Sequence, residues 1–138
     1  MAGKGELHCV VVTPERALVD LKADFVAIPM YDGEVGVLPG RASLIGRLGF
    51  GELRISKSGS TQRYYVDGGF AQVRDNVVTV LTSRAKADSE IQPDAVRAAL
   101  AKAGESLKQA KTAEEQEAQL GQQERARAQL RVASNARA

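Results

Sequence analysis

The chain has 138 residues, enough for one ordinary domain with an appendage, and its 19 basic and 17 acidic side chains leave a net charge of only +2. That balance gives no general pull toward nucleic acid or an anionic membrane. No apolar run approaches the roughly 20 residues of a membrane span, the opening MAGKGELHC lacks a signal-peptide core, and Cys9 has no partner for an internal disulfide, so a soluble protein of a reducing compartment is expected.

Taken in order, short apolar stretches punctuated by turn residues predict strands over Leu7–Thr13, Leu18–Lys22, Phe25–Ile28, Val35–Leu38, Leu44–Leu48, Leu53–Lys57, Arg63–Val66, Phe70–Arg74 and Val77–Thr82. Ser58-Gly59-Ser60, Asp67-Gly68-Gly69 and Asp75-Asn76 are expected to be hairpin turns, because Gly and Asn tolerate positive φ. No helical stretch separates the strands, which predicts an antiparallel sandwich or flattened barrel. Composition changes near residue 88: 11 of the 13 glycines and all six aromatics precede it. Residues 94–138 hold 13 alanines and only three β-branched side chains, Val96, Thr112 and Val132. Such a composition favours helix. The expected division is a β-sandwich domain over 1–88 and a helical hairpin over 89–138.

In that tail, Val96, Leu100, Ala103 and Leu107 form a narrow apolar stripe, and Pro93 suits a first helical turn. Thr112-Ala-Glu-Glu115 reads as a capping box opening a second helix, Thr side chain to the Glu amide and Glu back to the Thr amide, running to about Arg131 and broken or loosened at Gly121. Leu120, Leu130 and Val132 are its only large apolar residues, so its buried face is poor and the hairpin is expected to move easily.

Chemistry-bearing patterns are sparse. His8 is the sole imidazole and neighbours Cys9 on a strand, where adjacent side chains point to opposite faces, so neither a metal site nor a catalytic dyad is expected of them. Asp32 and Glu34 are a carboxylate pair in a loop and fit a solvated turn. The glycines of Asp32–Gly40, DGEVGVLPG, lack the Lys-Ser/Thr pair and the following helix that a phosphate loop needs, so Gly33 and Gly40 are read as turns and Gly36 as a close approach. Four arginines (125, 127, 131 and 137) against Glu124 make the C-terminal end basic, either a solvated face or a surface that docks on acidic protein.

Three blocks in order carry a family resemblance: GEVGVLPGRASLI (Gly33 to Ile45), YYVDGGFAQVRDNVVTVLTSRA (Tyr64 to Ala85) and AQLRV (Ala128 to Val132). The chain resembles the epsilon subunit of the F-type ATP synthase over nearly its whole length. The resemblance implies a β-sandwich of about ten strands bearing a helical hairpin. It implies a non-catalytic central-stalk subunit, peripheral on the cytoplasmic face of a bacterial membrane, that couples proton flow to ATP synthesis and restrains ATP hydrolysis through its tail. The implied partners are the gamma subunit, the rotor ring of c subunits, and the alpha and beta subunits of the catalytic head, with no nucleic acid.

By the same resemblance Tyr31, Asp32, Gly33 and Glu34 lie near the rotor ring; Thr13, Arg41, Leu44 and Gly46 face gamma; and Arg125, Arg127 and Arg131 make the inhibitory contacts. No cofactor is required, although some members bind a regulatory ATP through an Ile/Leu-Asp-x-x-Arg-Ala motif. Here Asp94, Arg97 and Ala98 match it and Pro93 replaces its first residue; Asp94 and Arg97 equally fit a helix-end ion pair. Arg41 and Ser43 depart from the family's usual His and Pro. The alternative is a stand-alone β-sandwich adaptor whose basic tail binds an acidic partner.

Overall fold

The computed structural model describes residues 6–137, with Arg137 described by its backbone alone. Eight strands precede two helices: β1 (Leu7–Val12), β2 (Ala17–Ala23), β3 (Phe25–Met30), β4 (Gly33–Val37), β5 (Leu44–Arg47), β6 (Phe50–Lys57), β7 (Ser60–Arg74), β8 (Val77–Ala87), α1 (Pro93–Gln109) and α2 (Ala113–Arg137). The sheet runs β2-β1-β8-β7-β6-β3-β4, with β5 added alongside β7. It folds over a core of Leu7, Cys9, Val11, Val26, Ile28, Val37, Leu53, Ile55, Val66, Val73, Val78 and Val80. The alternation of inward and outward residues in β1 and β8 is what places this apolar set on one side.

Every pairing is antiparallel except one: β1 lies parallel to β8. The first and last strands meet only through the tertiary fold, so no local turn announces their direction. Among the described residues the strand count is eight rather than about ten, chiefly because Arg63–Val66 and Phe70–Arg74 are one strand, β7. Asp67-Gly68-Gly69 is therefore not a hairpin turn but a corner inside β7, with Gly68 and Gly69 at φ of 77° and 113°. A Cβ on Gly69 would sit 1.9 Å from the Leu81 carbonyl oxygen, which only glycine avoids. Before the corner Tyr64 and Val66 face the core; after it Ala71 and Val73 do, so the inward phase shifts by one residue. Opposite, the buried Thr82 hydroxyl lies 2.8 Å from the Gly68 carbonyl and 2.9 Å from that of Arg84, closing the corner with hydrogen bonding.

The remaining turns form as expected. Ser58 and Gly59, and Asp75 and Asn76, have positive φ and make two-residue hairpins, β6 to β7 and β7 to β8. Gly33 and Gly40 also turn at positive φ, and a Cβ on Gly36 would press within 3.1 Å of the Phe25 ring.

Pro93 opens α1, and Val96 and Ala103 of its stripe are buried. Thr112 accepts from the Glu115 amide at 3.0 Å, but the Glu115 carboxylate takes the Lys111 amide at 2.9 Å instead of the Thr112 amide. The expected break at Gly121 does not occur: α2 continues through it and on to Arg137. One glycine costs a helix interior only about 1 kcal/mol, and the packing of α2 against α1 and the sheet offsets it.

Candidate interaction surfaces

The first surface is the seam where the hairpin rests on β6 and β7. Its apolar part is a second, separate cluster: Tyr65, Ile91, Val96, Ala126, Ala128, Val132 and Ala133, flanked by Phe50, Leu100 and Leu130. Four of the seven buried members lie on α2, and three of those are alanine, because α2 has little larger to offer. Polar contacts complete it. Arg125 Nε donates to Asp67 Oδ2 at 2.9 Å, and the same guanidinium lies 4.9 Å from the Phe50 ring centroid. The Tyr65 hydroxyl donates to that Asp67 oxygen at 3.2 Å, and burial, reinforced by the Asp67 charge, pushes the phenol well above its ordinary pKa. Further along α2, Asn135 Nδ2 donates to Glu52 Oε2 at 3.2 Å.

Between hairpin and sheet lies a cavity of about 520 Å³ lined by residues that include Tyr65, Asp67, Arg84, Lys86, Glu90, Gln92 and Arg125. Three cations against two carboxylates give it a mildly positive lining. Asp94 and Arg97 do not line it: they form an i,i+3 ion pair of 2.9 Å on the exposed face of α1. Arg125, Arg127 and Arg131 do not share a face either. Arg125 turns toward the sheet, while Arg127 and Arg131 are exposed.

The second surface lies on the opposite half of β7. Ile45, Phe70 and Leu81 are 73%, 55% and 51% exposed, and Val77 also faces solvent. Phe70 pairs with Leu81 across β7 and β8, and Ile45 sits diagonally from Phe70 across β5 and β7. Ile45, Phe70 and Leu81 make an outward apolar patch of the kind that marks a protein contact. None of them was singled out in the sequence. Of the residues that were, Leu44 points inward against the core and Gly46 packs so that a Cβ would meet Met30 Cε at 2.8 Å. Arg41 is exposed, and Thr13 bonds within its own turn to Arg16. The period-two alternation of β5 is the signal that separates them: if Leu44 and Gly46 face in, Ile45 faces out.

The third surface is the β3–β4 turn and its flank. Tyr31 is exposed, with the Arg47 guanidinium 4.6 Å from its ring centroid. Asp32 and Gly33 are exposed at the turn. Glu34 is not a free partner of Asp32: its two carboxylate oxygens receive Arg54 at 3.1 and 3.3 Å. The loop that follows is also occupied, since the Gly40 amide donates to the Asn76 side chain at 2.8 Å.

His8 contacts Asp20 across β1 and β2, and Cys9 is buried, which pushes its thiol up to about 12. Among the described residues no group of His, Cys, Asp and Glu has metal-site geometry, and no helix is long and apolar enough to cross a membrane.

Comparison with known proteins agrees with this architecture. Residues 6–88 match the family model described as ATP synthase, Delta/Epsilon chain, beta-sandwich domain. An ATP synthase epsilon chain of Rhodopirellula baltica is 63% identical over 79 residues, 57% of this chain and 62% of that one. Another, from Nitratidesulfovibrio vulgaris strain DP4, is 36% identical over 130 residues, 94% of this chain and 97% of its own length. Among solved structures, a chain in the cryo-EM structure of the Euglena gracilis mitochondrial ATP synthase shares the fold at a TM-score of 0.72 and 22% identity, over 94% of this chain and 78% of that one. With the family's sandwich domain over more than half of its length and relatives matched along nearly all of it, the chain belongs to the epsilon-chain family of the F-type ATP synthase.

Proposed function

We propose that the chain is a non-catalytic central-stalk subunit of a proton-translocating ATP synthase, which couples proton flow to ATP synthesis and restrains ATP hydrolysis through its helical hairpin. The observation that carries this reading is the make-up of the seam: an alanine-rich face of α2 held to the sheet with a few polar contacts. Such an element can occupy two positions separated by a few kcal/mol. In the folded position Arg125 is spent on Asp67, and release of the hairpin frees it alongside Arg127 and Arg131 to meet acidic surface on the alpha and beta subunits. The Ile45–Phe70–Leu81 patch is the surface for gamma, and the Tyr31–Glu34 turn the surface for the ring of c subunits. Membrane association then comes only through the complex, on the cytoplasmic face.

A regulatory ATP belongs to the same reading. The cavity under the hairpin has room and three cations for a polyphosphate in Arg84, Lys86 and Arg125, whereas Asp94 and Arg97 lie outside it. Such a ligand would hold the hairpin folded by bridging sheet and helix.

The test is ATP hydrolysis by a catalytic head stripped of its epsilon chain. Adding the full chain is expected to slow hydrolysis, while residues 1–88 bind gamma without slowing it. Equal inhibition by both, or failure of either to bind gamma, overturns the reading.

A further inference from the structure

One polar chain crosses the sheet beneath the tail and links two surfaces described separately above. Glu34 on β4 holds Arg54 with both oxygens, at 3.1 and 3.3 Å. The same Arg54 Nη1 lies 3.3 Å from Glu52 Oε1, and Arg63 Nη1 reaches that oxygen at 3.0 Å. The other Glu52 oxygen accepts from Asn135 on α2 at 3.2 Å. Glu52 is the shared acceptor, with its side chain only 12% exposed, so competition for it is less screened than at an open surface.

Asn135 is the weakest claimant on Glu52. It is neutral, whereas the two guanidiniums carry a charge opposite to that of the carboxylate. Arg54 and Arg63 reach the other oxygen, Oε1, while both terminal nitrogens of Arg54 also engage Glu34. Burial works against the Arg54 charge, but the hydrogen bonds of Glu52 and Glu34 outweigh it and raise its pKa, consistent with a guanidinium shared by both. Glu34 itself is half exposed on an edge strand, within reach of a cation from outside.

We infer that Glu34, Arg54 and Glu52 form a relay by which engagement of the β4 carboxylate by a partner's cation loosens the C-terminal end of α2. When Glu34 is drawn away, Arg54 closes on Glu52 with both nitrogens and displaces Asn135. Glu34 and Arg54 are thus positioning residues for the tail. The inference rests on the reading above that the hairpin moves.

The test uses hydrogen exchange on the full chain, reading the amides of residues 126–136 against those of β8. Glu34→Gln is expected to raise exchange in α2 about two- to fivefold, the range of a partly exposed ion pair, with β8 unchanged. Adding Arg54→Met to that variant removes the competitor and restores wild-type protection. Asn135→Ala is expected to match Glu34→Gln, and the two together to do no more than either, because both act on one Glu52 oxygen. No effect of Glu34→Gln, additivity with Asn135→Ala, or failure of Arg54→Met to restore protection overturns the relay. Should Arg54→Met disturb β8, the Glu34–Asn135 double-mutant cycle decides alone. Arg125→Ala serves as the reference: if it opens α2 and Glu34→Gln does not, the relay alone falls, and if neither opens α2, the movable hairpin falls with it.

Discussion

The sandwich core and the hairpin seam are built from different materials. The core is mostly Val, Ile and Leu drawn from seven of the eight strands. On the α2 side the seam is three alanines and one valine, set against Tyr65, Ile91 and Val96, and it relies on Arg125, Asp67 and Asn135 to hold position. Burying a branched side chain contributes about 1.5–3 kcal/mol, and an alanine methyl far less. The same chain therefore contains a part that must unfold to change and a part that needs only to let go.

Breaking the core gives the largest effect. Leu53→Ala, at a fully buried position of β6, is expected to cost about 2–5 kcal/mol of global stability by denaturant unfolding. If the two regions were one cooperative unit, hairpin and sandwich amides would lose protection equally in this variant; the expected result is a fall in the sandwich's global stability, with the hairpin amides still exchanging by their own cheaper opening. Releasing the seam comes next. Arg125→Ala removes a half-exposed charge-assisted bond and a cation–π contact, together about 1–2 kcal/mol. Hydrogen exchange in α2 is expected to rise on the order of tenfold while the sandwich midpoint stays put; a matching drop in the sandwich would erase the distinction.

Acid produces the smallest effect, and it falls on the sandwich. The Lys57 hydrogen bond holds the Glu6 carboxyl below its usual range, and the Ser58 amide does the same for Asp24. Groups with a depressed folded pKa stabilise above their unfolded values, and that contribution fades as pH falls through the folded ones. Both are half exposed, so a modest loss of stability below roughly pH 4 is expected, reduced by Lys57→Met mainly through Glu6, which keeps Lys22, while Asp24 keeps the Ser58 amide. A midpoint unchanged by acid in the wild type would show that these pairs contribute nothing.

Much of this was legible in the sequence because it is local. Alternation placed the strands, Asp75-Asn76 and Ser58-Gly59 announced their turns, and alanine with Pro93 and Thr112 announced the helices. What escaped depends on distant partners. Asp67-Gly68-Gly69 has turn chemistry but lies beneath Thr82, which holds it as a corner. Arg125 resembles Arg127 and Arg131 in sequence, and only Asp67 and Phe50, from another part of the chain, turn it inward. Ile45, Phe70 and Leu81 read as ordinary strand residues until the phase shift in β7 shows which way they face. Glu34 looked like half of an acidic pair because Arg54 lies on a strand not adjacent in sequence.

That phase shift also sets what natural variation this stretch can accept. Two glycines let β7 change its inward side between Val66 and Ala71 without leaving the sheet. Replacing both with residues that hold an ordinary extended backbone would restore strict alternation through the corner at unchanged length. Phe70 would then turn into the core and Ala71 out of it, so the apolar patch would vanish although neither residue had changed. Loops elsewhere in the chain can lengthen or shorten at little cost; here the two glycines between Tyr65 and Phe70 are themselves inherited information, as specific as the residues at either end.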